Sequence, residues 1–297
     1  MKRRSFEELD LIDDFLMNCV ATDPLVGEAC FKKMLSVLLE REIGKVSVVC
    51  QRVIMGADTN LRGIRMDVEV NESVEADGKK TIANVYDIEP HTRNDLSFPR
   101  HNRFYQAKID SKHLKSGEKD FSKLPNLYVI TITNFDIFKE DHMVYTFHNS
   151  CVEVPGLEYP DGLSFVYFNT KGTKGGSQAI KNMLNYIQES RPESVLDEAT
   201  KEIAGYVERV KADPALKEGS MTLGYYFDRE REEGKKEDRI EAILELLEDI
   251  GCIPDDMRVR LEAIDDLDEL KRLHKIAAKA GSIAEFEAAM VKAPISV

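Results

Sequence analysis

Residues 63–91, GIRMDVEVNESVEADGKKTIANVYDIEPH, decide how this chain is read. The first half alternates, with Ile64, Met66, Val68 and Val70 on one side of an extended chain and Arg65, Asp67 and Glu69 on the other. Asp77-Gly78 is a strong signal for a tight hairpin turn. The return run, 82–89, puts Ile82, Tyr86 and Ile88 on one face and Asp87 and Glu89 on the other. With the turn centred there, paired residue numbers sum to about 155, and Glu89 comes within one position of facing Asp67. Two neighbouring carboxylates repel in a poorly hydrated site unless a proton or a cation compensates. The pair reads either as ligands of a divalent metal or as the charged face of a wet sheet. Asp87 and Glu69, on the same face, are auxiliary ligands or plain surface. Pro90 is expected to end the return strand, because it has no N–H for a central ladder.

Working outward, KVSVVCQRVI at 45–54 reads as a strand preceding the hairpin. Before it, from Phe6 to about Glu42, apolar residues recur at helical spacing in two runs separated by ATDPLVG. After it come a helix over 98–114 and a buried strand over 127–135. Two aromatic-rich strands follow near 143–149 and 163–169, then a helix over 178–189. These elements predict an α/β domain over 1–190, a mixed sheet flanked by helices. Residues 191–221 read as a helical linker, interrupted by DPALKEG, and 222–297 as an acidic tail of short amphipathic helices. Such a tail suits interaction, oligomerisation or a small lid.

Composition narrows the function classes. The 297 residues carry 54 acidic against 41 basic side chains, a net charge of -13, which argues against a protein that coats a phosphate backbone. An enzyme whose metal brings its own positive charge is not excluded. The beginning, MKRRSFEELDLIDDFL, has no apolar run of signal or anchor type, so a soluble, cytoplasmic protein without a membrane partner is expected. Cys19, Cys30, Cys50, Cys151 and Cys252 are too scattered for a disulfide framework or a zinc knot and read as buried free thiols. GTKGG at 172–176 fits neither a Walker loop nor a dinucleotide fingerprint.

Taken together, GIRMDVEV, the turn, VYDIEPH, the helix with RHNRFYQAKI and the strand LYVITITNF resemble the PD-(D/E)XK nuclease superfamily. The likeness is to its branch of PD-(D/E)XK nuclease family transposases, similar to the recombination-promoting nucleases. It covers roughly residues 15–190 and extends more loosely into the tail, where REREEGKKEDRIEAI looks like a shortened charged repeat. The resemblance implies a restriction-endonuclease-like core, with Asp67 matching an acid on the second core strand and Glu89 one on the third. The glutamine or lysine position is held by His91, a departure that gives less electrostatic stabilisation as a neutral ring. Arg103, Tyr105 and Gln106 match recurring positions of the following helix. Arg100 and Arg103 are candidates to grip a phosphate or to neutralise nearby acids. Glu28 and Glu42 are candidates for a third carboxylate from the first helices. The implied activity is a DNA endonuclease dependent on Mg2+ or Mn2+ that hydrolyses phosphodiester bonds, linked to recombination or mobile elements. DNA is the expected partner and a homodimer through helical elements the expected assembly. The alternative is a catalytically decayed nuclease fold that serves as a DNA- or protein-binding module.

Overall fold

A computed structural model describes residues 4–54, 64–76, 78–93, 97–114, 119–264 and 266–291; Gly63 and Asp77 of the decisive stretch lie outside these. The chain forms two compact units, Met1–Glu218 and Gly219–Val297.

The first unit is built on one six-stranded mixed sheet, order β1-β2-β3-β4-β6-β5. Its strands are β1 Lys45–Ile54, β2 Ile64–Ala76, β3 Lys79–His91, β4 Asn126–Thr133, β5 Val144–Phe147 and β6 Leu163–Asn169. The first three form an antiparallel meander. The β2–β3 hairpin closes at Ala76↔Lys79, and Gly78 takes a positive φ of 70°, a conformation that suits glycine. Beyond the tip the register changes once: Ser73 pairs with Ile82 but Glu72 with Asn84, so Ala83 is the extra residue of a bulge. Helix α3, Phe98–His113, then carries the chain across the sheet to β4, which lies parallel to β3. Strand β6 is parallel to β4, and β5 pairs antiparallel on the outer side of β6.

Alternation along the strands gives the sheet two different faces. Val68, Val70, Tyr86, Ile88, Ile130, Ile132, Val166 and Phe168 belong to the main core. That core also takes in α1 Asp14–Thr22, α2 Gly27–Leu38, α4 Gln178–Gln188 and α5 Glu198–Lys211. Each large apolar side chain fully enclosed there contributes roughly 1.5–3 kcal/mol. Glu72 is held on this side by Tyr86 Oη at 2.5 Å and Asn84 Nδ2 at 2.7 Å. The guanidinium of Arg41 lies over the rings of Tyr86 and Tyr128. The opposite face is covered by α3 and has a small apolar cluster of Val85, Ile109, Leu127 and Val129 beside a row of polar groups.

Several expectations need correction. Pro90 does not end β3: it stays in register with Ile132 of β4 and His91 with Thr133. The pairing with β2 ends at Val68↔Ile88, just before the residue that has no N–H to give. The segment read as a linker, 191–221, contains α5, whose Ile203, Ala204, Val207 and Val210 lie in the main core, and the division between units falls after Glu218. The helical run does break at the start of DPALKEG: α5, Glu198–Lys211, ends just before it, and Pro214 opens α6, Pro214–Glu248, at a position where its missing N–H costs nothing. The thiols are all free, but only Cys19 and Cys30 are buried; Cys252 is exposed. The glycines of GTKGG serve packing: a β-carbon on Gly172 would fall 2.5 Å from the backbone oxygen of His142.

In the second unit, the end of α6 packs with α7 Met257–Glu262, α8 Leu267–Ala277 and α9 Ile283–Val291. Ile243, Leu247, Met257, Leu261, Leu270, Leu273 and Phe286 fill this separate core. Among the described residues no helix is long and apolar enough to cross a membrane.

Candidate functional site

The polar row on the α3 face is assembled by strand register. Glu69 of β2 pairs with Asp87 of β3, and two positions further from the turn the backbone N–H of Asp67 donates to Glu89 Oε1 at 3.2 Å. Asp67, Asp87 and Glu89 thus share one face, at the end of the hairpin remote from its turn. Glu89 and His91 also stand at the carboxyl end of β3, beside the carboxyl ends of the parallel strands β4 and β6. Open α/β sheets bind ligands outside such strand ends.

Burial makes this arrangement electrostatically costly. Glu69 and Asp87 are fully enclosed, Glu89 nearly so, and Asp67 is half-buried. Glu69 is compensated: Lys112 Nζ of α3 lies 2.8 and 3.1 Å from its two oxygens, and Asn71 Nδ2 donates at 2.7 Å. Burial, then the charges of Glu69 and Asp67, hold the Asp87 carboxyl well above the usual carboxylate range, and Lys112 offsets this only in part. Burial does the same to Glu89, reinforced by Asp87, Asp67 and Asp14, with the Asp67 N–H opposing. Neither oxygen of Asp87 has a hydrogen-bond partner.

Helix α3 closes the face from above. Phe98, Asn102 and Ile109 are its buried side chains, and Asn102 Nδ2 donates to Thr131 Oγ1 at 2.8 Å and Tyr167 Oη at 3.1 Å. His91, 26% exposed, has Nε2 4.0 Å from Glu89 Oε2, and its ring lies 4.6 Å from Phe98 and 6.1 Å from His101. His101 in turn sits 4.0 Å from the ring of Tyr105, which packs against the small apolar cluster.

The structure therefore brings Asp67, Asp87, Glu89 and His91 together. It treats the other expected residues differently. Arg100 and Arg103 are exposed, at helical positions turned away from Phe98, Asn102 and Ile109, so neither faces the carboxylates. Gln106 donates to Asp110 on the same helix. Glu28 in the first turn of α2 and Glu42 after it are both exposed, and the acid from the first helices that acts on Glu89 is Asp14, the first residue of α1. Asp14 and Lys112 are the two participants that strand reading missed. A helix-start acid in DDFLMNCV and a lysine four residues beyond the core position Lys108–Ile109 were the only signals available.

The donor set fits a hard divalent cation: the nearest groups are carboxylate oxygens, and Glu89 is raised by burial and then by the neighbouring acids Asp87, Asp67 and Asp14. Among the described residues no group of three or more His, Cys, Asp or Glu side chains already converges on a common point. No family model, curated protein or solved structure matches this chain.

Proposed function

We propose that this face is the active site of a Mg2+- or Mn2+-dependent endonuclease that hydrolyses phosphodiester bonds in DNA. The reading places the chain in the PD-(D/E)XK superfamily, on a restriction-endonuclease-like core. The observation that carries it is the Asp67–Glu89 pair, one acid on the second strand and one on the third, joined by the 3.2 Å contact at the open end of the hairpin.

Asp67 and Glu89 would hold the cation, which supplies charge stabilisation at the scissile phosphate and lowers the pKa of a water that attacks phosphorus. His91, close to Glu89 and partly open to solvent, would orient that water and accept its proton as the new phosphorus–oxygen bond forms and the bond to the leaving ester oxygen breaks, that oxygen taking a proton from solvent. Asp14 would add negative charge on the far side of Glu89, favouring cation retention. Arg100 and Arg103 on the outer surface of α3 would meet the DNA backbone away from the cut bond, as positioning groups rather than as transition-state donors. A homodimer through helical elements would let two such sites act on both strands.

The test is cleavage of supercoiled and single-stranded DNA with Mg2+ or Mn2+, comparing wild type with Asp67→Ala/Glu89→Ala at matched folding. Metal-dependent nicking that is absent from the double variant supports the reading. No cleavage by wild type under either metal, with DNA retained in a binding assay, would instead favour the decayed fold, a reading to which the histidine in place of lysine or glutamine already lends weight.

A further inference from the structure

The Asp87 side chain has no role in the two-carboxylate site described above. It is 0% exposed, both its oxygens are without a hydrogen-bond partner, and it stands on the same face as Asp67 and Glu89, two positions nearer the turn. Its natural counter-charge is already engaged, because Lys112 Nζ is bonded to both oxygens of Glu69 directly across the hairpin. Buried polar groups in folded proteins are hydrogen-bonded, paired or bound to metal almost without exception. A carboxyl with every acceptor position open, inside a group of acids, is the kind of exception that a bound cation resolves.

We propose that Asp87 is a third oxygen ligand of the divalent cation held by Asp67 and Glu89, so that the ion sits inward along the hairpin rather than at its rim. The inference rests on the metal-dependent reading above. Asp87 and Glu89 are alternate residues of one strand, about 6.5–7 Å apart along it, a span that two carboxylates close readily around an ion with bonds of about 2.1 Å. Asp67 completes the set from the neighbouring strand. Glu69 stays outside it because Lys112 and Asn71 already occupy its oxygens. The pairing of Lys112 with Glu69 therefore decides which of Asp67, Glu69, Asp87 and Glu89 bind the metal. Three carboxylates on a six-coordinate ion leave about three positions for water and a substrate oxygen.

Calorimetric titration of the full chain with MnCl2 tests this on wild type, Asp87→Asn and Asp67→Asn/Glu89→Gln, each checked by circular dichroism. Loss of an outer-sphere partner alone commonly costs 10- to 100-fold in metal affinity, so Asp87→Asn is expected to bind Mn2+ at least about tenfold more weakly. The double variant is expected to show no binding. Affinity of Asp87→Asn indistinguishable from wild type, with binding lost in the double variant, overturns the role of Asp87 and leaves the two-carboxylate site standing. Failure of wild type itself to bind Mn2+ overturns both. A second measurement needs no variant: relaxation of water protons by bound Mn2+ counts its coordinated waters in wild type. About three or fewer is expected, and four or more overturns the third ligand.

Discussion

Replacing Lys112 by methionine removes the ammonium paired with Glu69 and keeps most of the apolar stem that reaches from α3 to the sheet. Glu69 would then be an enclosed carboxylate that still accepts from Asn71, with Asp87 across from it. Breaking a buried ion pair by removing one member typically costs about 3–5 kcal/mol. Here the loss has a ceiling, because Glu69 can escape by taking a proton. At pH 7 that escape costs about 1.36 kcal/mol for each unit above the ordinary glutamate value of about 4.3, close to 3.5 kcal/mol in all. At pH 5 the same escape costs only about 1 kcal/mol. A carboxyl whose folded pKa has been lifted stabilises the fold below its unfolded pKa and forfeits that stability as pH rises through the folded value. The deficit of Lys112→Met should therefore widen from about 1 kcal/mol at pH 5 to about 3 kcal/mol at pH 7. In a unit of this size that is a fall in melting temperature of about 6–12 °C at neutral pH. Urea unfolding followed by circular dichroism at the two pH values measures it. A loss below about 1 kcal/mol at pH 7, or an equal loss at both pH values, would refute the view that Lys112 neutralises an enclosed acid.

The metal-free wild type should itself be most stable in mild acid. Asp13, Asp14, Asp87, Glu89 and Asp110 are all raised, chiefly by burial, and withdraw stability as pH climbs through their folded values. Glu72, Asp136, Asp197 and Glu202 are lowered by their hydrogen bonds and withdraw it as pH falls through theirs, so the urea midpoint should peak between about pH 4.5 and 6 and not at pH 8. Thiol labelling with Ellman's reagent should modify exposed Cys252 first; Cys19 and Cys50, both pushed up to about 11 by burial, should lag, and enclosed Cys30 should react only on unfolding. Labelling of Cys30 at the rate of Cys252 in the folded protein would contradict its placement. Gly172→Ala should destabilise by about 1–3 kcal/mol, because the new methyl meets the backbone of His142. Gly205→Ala, in the open on α5, should instead stabilise by about 0.5–1 kcal/mol, and thermal melts of the two variants would reveal any reversal of sign.

How far the sequence could be read depended on how local each signal was. The strands lie where period-two alternation and β-branched residues put them, and the hairpin register followed from Asp77-Gly78 to within one residue. The remaining residue of uncertainty was the bulge at Ala83, which no side-chain pattern announces. Misreadings concern contacts between distant elements. Nothing in GEACFKKML or LLEREIG distinguishes Glu28 and Glu42 from Asp14, because which helix end reaches β3 is settled by packing of α1 on β1 and β2. Arg100 and Arg103 looked like site residues because they neighbour the site in sequence, whereas Phe98, Asn102 and Ile109 fix the opposite side of the helix inward. Nothing local marks Lys112, because its partner Glu69 lies 43 positions earlier in the chain.

The bulge has a consequence for how the hairpin tolerates insertion and deletion. Between the tip and Ala83 the paired numbers sum to 155, and beyond it to 156, which is the value that sets Asp67 against Glu89. The tip on the far side of the bulge can therefore gain or lose matched residues, one on each strand, without moving the acids. Pairing that ran straight through Ala83 without the bulge would set Ile88 opposite Asp67 and mix acid and hydrocarbon on both surfaces of the sheet, whereas deleting Ala83 outright would remove the bulge and leave Asp67 against Glu89. One small, half-buried alanine, left out of the strand pairing, keeps the two strands in chemical phase.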